Sequence, residues 1–166
     1  MFAWLMLALG STPTSQVLSD GTVSSSIFIQ AAPEQIRARL DSPRTLARLT
    51  AQGDLESQVS ASQDGEGRAC WLLTRERTGA MYKVAYRSRA CLTEDGMVET
   101  LVDSEELIEQ STRWQVLPHG TGSLVVLQVR TTTRLPVPSS LVRNASIREG
   151  QACLVRLQRA FETARE

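Results

Sequence analysis

The chain reads as an α+β protein: one antiparallel sheet with a long helix at its C-terminal end. Three observations predict this. From Leu55 to about Leu135 the apolar residues recur with a period of two, and short turn sequences interrupt them. From about Pro138 to Ala164 the period is helical, with Val142, Ser146, Ile147, Gly150, Cys153, Leu154, Leu157 and Phe161 on one stripe. Between a first strand and the long run of strands lies a proline-punctuated segment with the pattern of two short helices. Helices set apart from a single antiparallel sheet define the class.

The first 20 residues stand outside this plan. Phe2 to Leu9 is an uninterrupted apolar run, followed at once by Gly10-Ser11-Thr12-Pro13. It is shorter than the ~20 residues that span a bilayer and matches the hydrophobic part of an export signal, with Ala8 and Gly10 as small residues ahead of a cleavage point. No Lys or Arg precedes it, so its only positive charge is the terminal amine. If residues 1–10 are a signal the protein is secreted or periplasmic, and otherwise cytoplasmic; both remain open. Residues 1–20 are expected to lie outside a single domain spanning 21–166.

Val23 to Gln30 reads as the first strand, with Val23, Ile27 and Ile29 on one face. Pro33 suits the first turn of a helix and Glu34 its positive end, with Ile36 and Leu40 as the buried edge. Ser42 precedes a proline and is biased away from helix, and Pro43 starts a second short helix carrying Leu46 and Leu49. Six strands follow: Leu55–Gln63, Gly67–Arg77, Met81–Leu92, Met97–Asp103, Leu107–Leu117 and Ser123–Leu135. The intervening Asp64-Gly65, Thr78-Gly79, Asp95-Gly96 and Pro118-His119-Gly120 sequences are turn formers, and short turns imply antiparallel neighbours. The result is a seven-stranded sheet.

Alternation assigns the faces. Tyr82, Val84, Tyr86, Ser88, Ala90 and Leu92 point one way, with Lys83, Arg87 and Arg89 opposite. Val125, Leu127, Val129, Thr131 and Thr133 match the first group, as do Ile108, Trp114 and Val116, and Trp71 with Leu73. One face is apolar and needs a cover, and the C-terminal helix is the only element long enough. The basic residues of 75–89, Arg75 and Arg87 among them, and the acidic ones of 94–109, Glu99 and Asp103 among them, are expected to oppose each other on the outer surface.

Composition and motifs exclude several functions. Eighteen acidic and 18 basic residues give no overall basic field for nucleic acid or an anionic membrane. Cys70, Cys91 and Cys153 lack metal-ligand spacing and stand far from the single histidine, so neither a metal nor a cofactor is expected. Two readings of the cysteines stay open, a Cys70–Cys91 bridge between neighbouring strands or three small core residues. His119 sits in a turn and has no second histidine to work with, so no catalytic residue is assigned.

Three pieces of the chain carry a resemblance to the SRPBCC superfamily, which includes START lipid-transfer domains, birch-pollen-allergen-like proteins and polyketide cyclase-like proteins. They are SIFIQAAPEQIRARLDSPRTLARL at the front, TRWQVLPHGTGSLVVLQVRT at 112–131, and LPVPSSLVRN with LVRLQRAFE at the end. The resemblance implies a helix-grip fold, in which the curved sheet wraps the long helix, and a cavity between them holding a small hydrophobic ligand such as a lipid, isoprenoid or polyketide-like molecule. The first half of the helix stripe is thin, because Ser146, Gly150 and Cys153 are small. With the inward residues Trp71, Tyr82, Tyr86, Ser88, Trp114, Val129 and Thr131, these three form the expected cavity lining. The expected function is a monomeric, non-enzymatic carrier. The alternatives are a cyclase- or aromatase-like enzyme and a ligand-free interaction domain on the same fold.

Overall fold

The computed structural model describes residues 11–50, 57–63, 67, 69–78 and 83–162. Strand β1 (Thr14–Val17) and β2 (Val23–Ile29) lead into helices α1 (Pro33–Leu40) and α2 (Pro43–Thr50). A meander follows through β3 (Ser57–Gln63), β4 (Ala69–Thr78), β5 (Lys83–Thr93), β6 (Gly96–Ser104), β7 (Leu107–His119) and β8 (Gly122–Thr133). Helix α3 (Ser139–Glu162) ends the described chain. The order across the sheet is β1-β2-β8-β7-β6-β5-β4-β3. Each strand pair is antiparallel.

The seven expected strands are present, and an eighth joins them. Residues 14–17, expected outside the domain, pair with β2 from Thr14↔Ser26 to Val17↔Val23. This strand has no apolar alternation to announce it and is held by hydroxyl groups. The Ser15 and Ser25 hydroxyls share a hydrogen bond of 2.7 Å, and Gln151 of α3 donates to Ser15 Oγ at 3.0 Å.

Alternation holds along β5, where Val84, Ser88 and Ala90 are buried and Lys83, Arg87 and Arg89 exposed. It fails at Ile108, expected to face inward and in fact 55% exposed. The register shifts between Leu107 and Glu109, so Leu107 takes the inward place, and an extra residue in one strand reverses the alternation beyond it. β7 also runs through Pro118 and His119, expected as turn, and leaves Gly120 and Thr121 to make the reversal, with Gly120 at φ 56°. At Gly96 a Cβ would stand 2.1 Å from the Trp114 carbonyl oxygen, so only glycine lets β6 start that close to β7.

Helix α3 packs chiefly on β2 and β8 and touches α2 and β1. Leu154 and Leu157 are fully buried among Ile27, Val125, Leu127 and Trp114 of the sheet and Leu40, Leu46 and Leu49 of the short helices. Polar contacts seat the short helices. Arg37 donates to the Val116 carbonyl at 3.1 Å, and Arg156 donates to the Leu49 carbonyl at 2.7 Å, satisfying one of the carbonyls a helix end leaves free. The Arg39 guanidinium lies 5.6 Å from the Phe161 ring centre.

Cys70 and Cys91 face each other in the β4–β5 register and form a disulfide, and Cys153 is a buried free thiol. Of the two readings of the cysteines, the bridge holds. The crosslink closes a loop of 21 residues, which in the chain-entropy account stabilises the fold by about 3 kcal/mol. Cys91→Ser is expected to lower the unfolding free energy by about that amount in urea titrations under non-reducing conditions. Added reductant should then destabilise the wild type and leave the variant unchanged.

Candidate functional site

The first half of α3 stands away from the sheet, and a cleft lies beneath it. Val84 and Tyr86 of β5, Leu107 and Gln110 of β7, and Val129, Thr131 and Thr133 of β8 form the floor. Leu135 and Val137 close one end, and Leu141, Val142, Ala145, Ser146 and Glu149 of α3 form the roof. The walls are mostly apolar. Thr131 Oγ1 donates to Gln110 Oε1 at 2.5 Å, and the Gln110 amide lies 3.3 Å from Thr112 Oγ1. Ser146 spends its hydroxyl proton on the Val142 carbonyl, at 3.0 Å. The cleft measures about 120 Å³. That is below the ~300–1,000 Å³ of sites for drug-sized ligands and near the ~150 Å³ that takes a single benzene ring.

Four residues of the expected lining meet here: Tyr86, Val129, Thr131 and Ser146. Tyr82 lies outside the described residues. The other five are in the structure but do not line the cleft. Trp71 packs against the edge of the core, and Trp114 is fully buried in its centre. Ser88 is buried against Glu99, and Cys153 sits in the core beside Leu154. Gly150 corrects the idea of a continuous small-residue roof. A Cβ there would lie 3.1 Å from Ser25 Oγ and 3.8 Å from Leu127 Cδ2, so the glycine lets α3 press onto β2 and leaves no space beneath.

The sheet interior also holds charge that was expected outside. Arg75 and Glu99 are 6% and 2% exposed and form an ion pair of 3.0 Å. Ser88 Oγ donates to the other Glu99 oxygen at 2.5 Å, while Arg75 Nε has no partner. Burial works against the guanidinium charge, but Glu99 first, then Tyr86 and Cys153, outweigh it and hold the Arg75 pKa above its ordinary value. Tyr86 also hydrogen-bonds Arg75 through its side chain, so one residue belongs to both the ion-pair network and the cleft. Parity carried this signal: Arg75 shares it with Trp71 and Leu73, and Glu99 with Met97. Arg87 is paired to Asp103 on the outer face as expected, whereas Lys83 pairs with Glu76 of β4, outside the expected acidic stretch.

His119 is exposed and makes an edge contact with the Phe28 ring, 6.0 Å between centres. Among the described residues no group of three or more His, Cys, Asp or Glu side chains could hold a metal. No described helix is long and apolar enough to cross a membrane.

Neither a protein-family profile nor a curated protein sequence matches the chain. Solved structures do. A START superfamily protein from Mycobacterium smegmatis aligns with a TM-score of 0.69 at 14% identity, over 86% of this chain and 98% of that one. The Zhui aromatase/cyclase from Streptomyces sp. R1128 aligns with a TM-score of 0.61 at 14% identity, over 83% and 93% of the two chains. Human StAR-related lipid transfer protein 5 aligns with a TM-score of 0.63 at 12% identity, over 95% and 85%. The likeness is one of fold: the chain has the helix-grip architecture that these structures share.

Two outcomes follow from the packing. Removing one member of the buried ion pair, as in Arg75→Leu or Glu99→Leu, is expected to cost about 3–5 kcal/mol, because it strands the other charge. The double variant should lose less than either single one, a non-additivity that urea unfolding of all four proteins would read. Gly150→Leu is expected to cost about 1–3 kcal/mol or more by pushing α3 off Ser25, so that its thermal midpoint falls whether or not a ligand is present.

Proposed function

We propose that the protein binds a small hydrophobic molecule in the cleft beneath the first half of α3, as a carrier and not as a catalyst. One observation carries this reading. Apolar walls from three strands and the helix converge on a few placed polar groups, Tyr86, Gln110 and Thr131, which is the balance of a ligand site. The fold supports it, since lipid transfer proteins share the architecture, though a fold alone does not fix a function. The ligand class is a lipid, isoprenoid or polyketide-like molecule, with its apolar body along Val84, Val129 and Val142. Its polar end would meet Gln110 and Thr131.

The cleft volume shapes the mechanism. A space of about 120 Å³ seats a ring or a few methylenes, so a longer ligand must lift the first turns of α3. The contacts there permit it: Leu141 is 56% exposed, whereas Leu154 and Leu157 further along are fully buried. Binding would thus open the helix at its N-terminal end and leave the C-terminal half in place.

The same volume favours a second reading, an interaction domain whose interior is filled. An aromatase- or cyclase-like activity is less well supported. Arg75 and Glu99, the buried ion pair, are committed to each other and do not line the cleft, and the one carboxylate that does, Glu149, has no base beside it among the described lining residues.

The test is titration of the full chain with a fluorescent naphthalene-sulfonate probe, alongside Ala145→Trp, which places an indole in the cleft. The expected result is binding at least about tenfold weaker, or ~1.4 kcal/mol, in the variant with an unchanged thermal midpoint. Equal binding by both proteins would remove the cleft as the site. Absence of binding by the wild type, with no apolar molecule in its native mass spectrum, would favour the interaction domain.

A further inference from the structure

We infer that the polar end of the ligand is an ammonium group, taken up by the roof carboxylate Glu149 and the hydroxyl oxygens of Thr131 and Ser146, so that the cleft selects primary amines on an apolar body. This inference deepens the ligand reading and rests on it. Two independent observations carry it, the sign of the charge in the lining and the direction of the hydrogen bonds there.

Charge comes first. Among the described residues that line the cleft, Glu149 is the one with a formal charge, and it is half-buried. It stands one helical turn beyond Ser146 on the same face of α3. The cations on these elements are committed elsewhere. Arg75, joined to Tyr86, is paired with Glu99 and does not line the cleft. Arg134 donates to the carbonyls of Ser104, Glu105 and Leu107. Lys83 pairs with Glu76 on the outer face, and Arg143 and Arg148 are exposed. The described lining therefore carries negative charge in partly dehydrated surroundings, where a second anion is repelled and a cation attracted more strongly than in water.

The hydrogen bonds point the same way. Each Thr and Ser hydroxyl of the lining gives its proton to the protein. Thr131 donates to Gln110 Oε1 at 2.5 Å, Thr133 to the Glu106 carbonyl at 2.9 Å and Ser146 to the Val142 carbonyl at 3.0 Å. Gln110 in turn spends an amide hydrogen on Thr112 Oγ1, at 3.3 Å. What Thr131 and Ser146 still offer is lone pairs, because a hydroxyl has a single proton to give. The donors left to this lining are the second Gln110 amide hydrogen and the Tyr86 phenol, whose oxygen accepts from Arg75 because a guanidinium only donates. Acceptors thus prevail, and one of them is charged. An ammonium has only protons to offer and matches this set, whereas a carboxylate only accepts and meets a like charge. A primary amine has a pKa of about 10 and is an ammonium at neutral pH. A molecule such as the naphthalene-sulfonate probe, with its anion left in water, is held by apolar contact alone.

Calorimetric titration of the full chain at neutral pH with octylamine, octanol and octanoate, which share one apolar body, tests this. In the wild type octylamine is expected to bind at least about tenfold more tightly than octanoate, with octanol between them. Glu149→Gln should bring octylamine to within about twofold of octanol and leave octanol itself unchanged. Glu149→Lys should reverse the order, so that octanoate binds best, a result that a merely structural role for Glu149 would not give. Ala145→Trp should weaken all three ligands alike, which ties the effect to the cleft. Octanoate binding the wild type as tightly as octylamine, an octylamine preference that persists in both Glu149 variants, or binding indifferent to Ala145→Trp would overturn this inference. Of these outcomes the first two leave the ligand reading standing, and failure of all three ligands to bind the wild type would overturn both.

Discussion

The interaction on which the rest of the structure depends is the seam between α3 and the β2–β8 end of the sheet. An antiparallel sheet with one apolar face is unstable in water until that face is covered, and among the described residues a single helix is long enough to cover it. Leu154 and Leu157 make the cover dry, and Gly150 makes it close, because the space a Cβ would need is held by Ser25. Fully burying each leucine contributes roughly 1.5–3 kcal/mol, so the second half of α3 is the better fixed half. The residues at and before β1 add to the same side, with Ser11 and Ser15 accepting hydrogen bonds from Gln158 and Gln151 of α3. Arg156, reaching to the Leu49 carbonyl, ties the short helices to it as well.

Because the seam runs along one end of the sheet, the inner face of the middle strands is covered less uniformly. There the chain places a buried ion pair instead of more leucine. Arg75 and Glu99 reach across β5 to meet, with Ser88 filling a second carboxylate site. Such a pair contributes little net stability over an apolar replacement, since desolvating two charges offsets most of their attraction. What it provides is geometric: it fixes the side chains of β4, β5 and β6 relative to one another, and through Tyr86 it reaches the cleft floor. The interior therefore has a dry, apolar half under the end of α3 and a hydrogen-bonded half toward its beginning.

Much of this was legible in the residues, and the exceptions have physical reasons. The period of two from β3 to β8 and the helical stripe of α3 declare themselves because each follows from burying one face. Strand β1 does not, since Ser-Thr-Pro-Thr-Ser at 11–15 is held by hydroxyls and backbone, and no hydrophobic pattern records that. Ile108 reads as inward only if alternation runs unbroken through a bulge, which one sequence cannot reveal. The small residues of α3 were ambiguous: Ser146 does face the cleft, but Gly150 is small for contact with Ser25. Glycine on a buried stripe says that something comes close, and only the neighbouring strand says what. Arg75 and Glu99 carry the inward parity of their strands, but charge ordinarily belongs on the outer face.

These two halves bear on how a ligand could be held. A carrier has to release what it binds, so its cover must be removable at a cost smaller than unfolding. A helix uniformly anchored along its length would have to leave as a unit, exposing the whole core. In this chain the anchoring is graded. The roof residues of the cleft come from the first turns, Ser146 satisfies its hydroxyl within the helix, and Pro136 and Pro138 precede the helix without donors that would bind it to the sheet. Lifting that end exposes a handful of valines and leucines and leaves the Arg75–Glu99 pair intact. The ion pair is thus kept among the strands, and the roof that opens is seated mostly by apolar side chains.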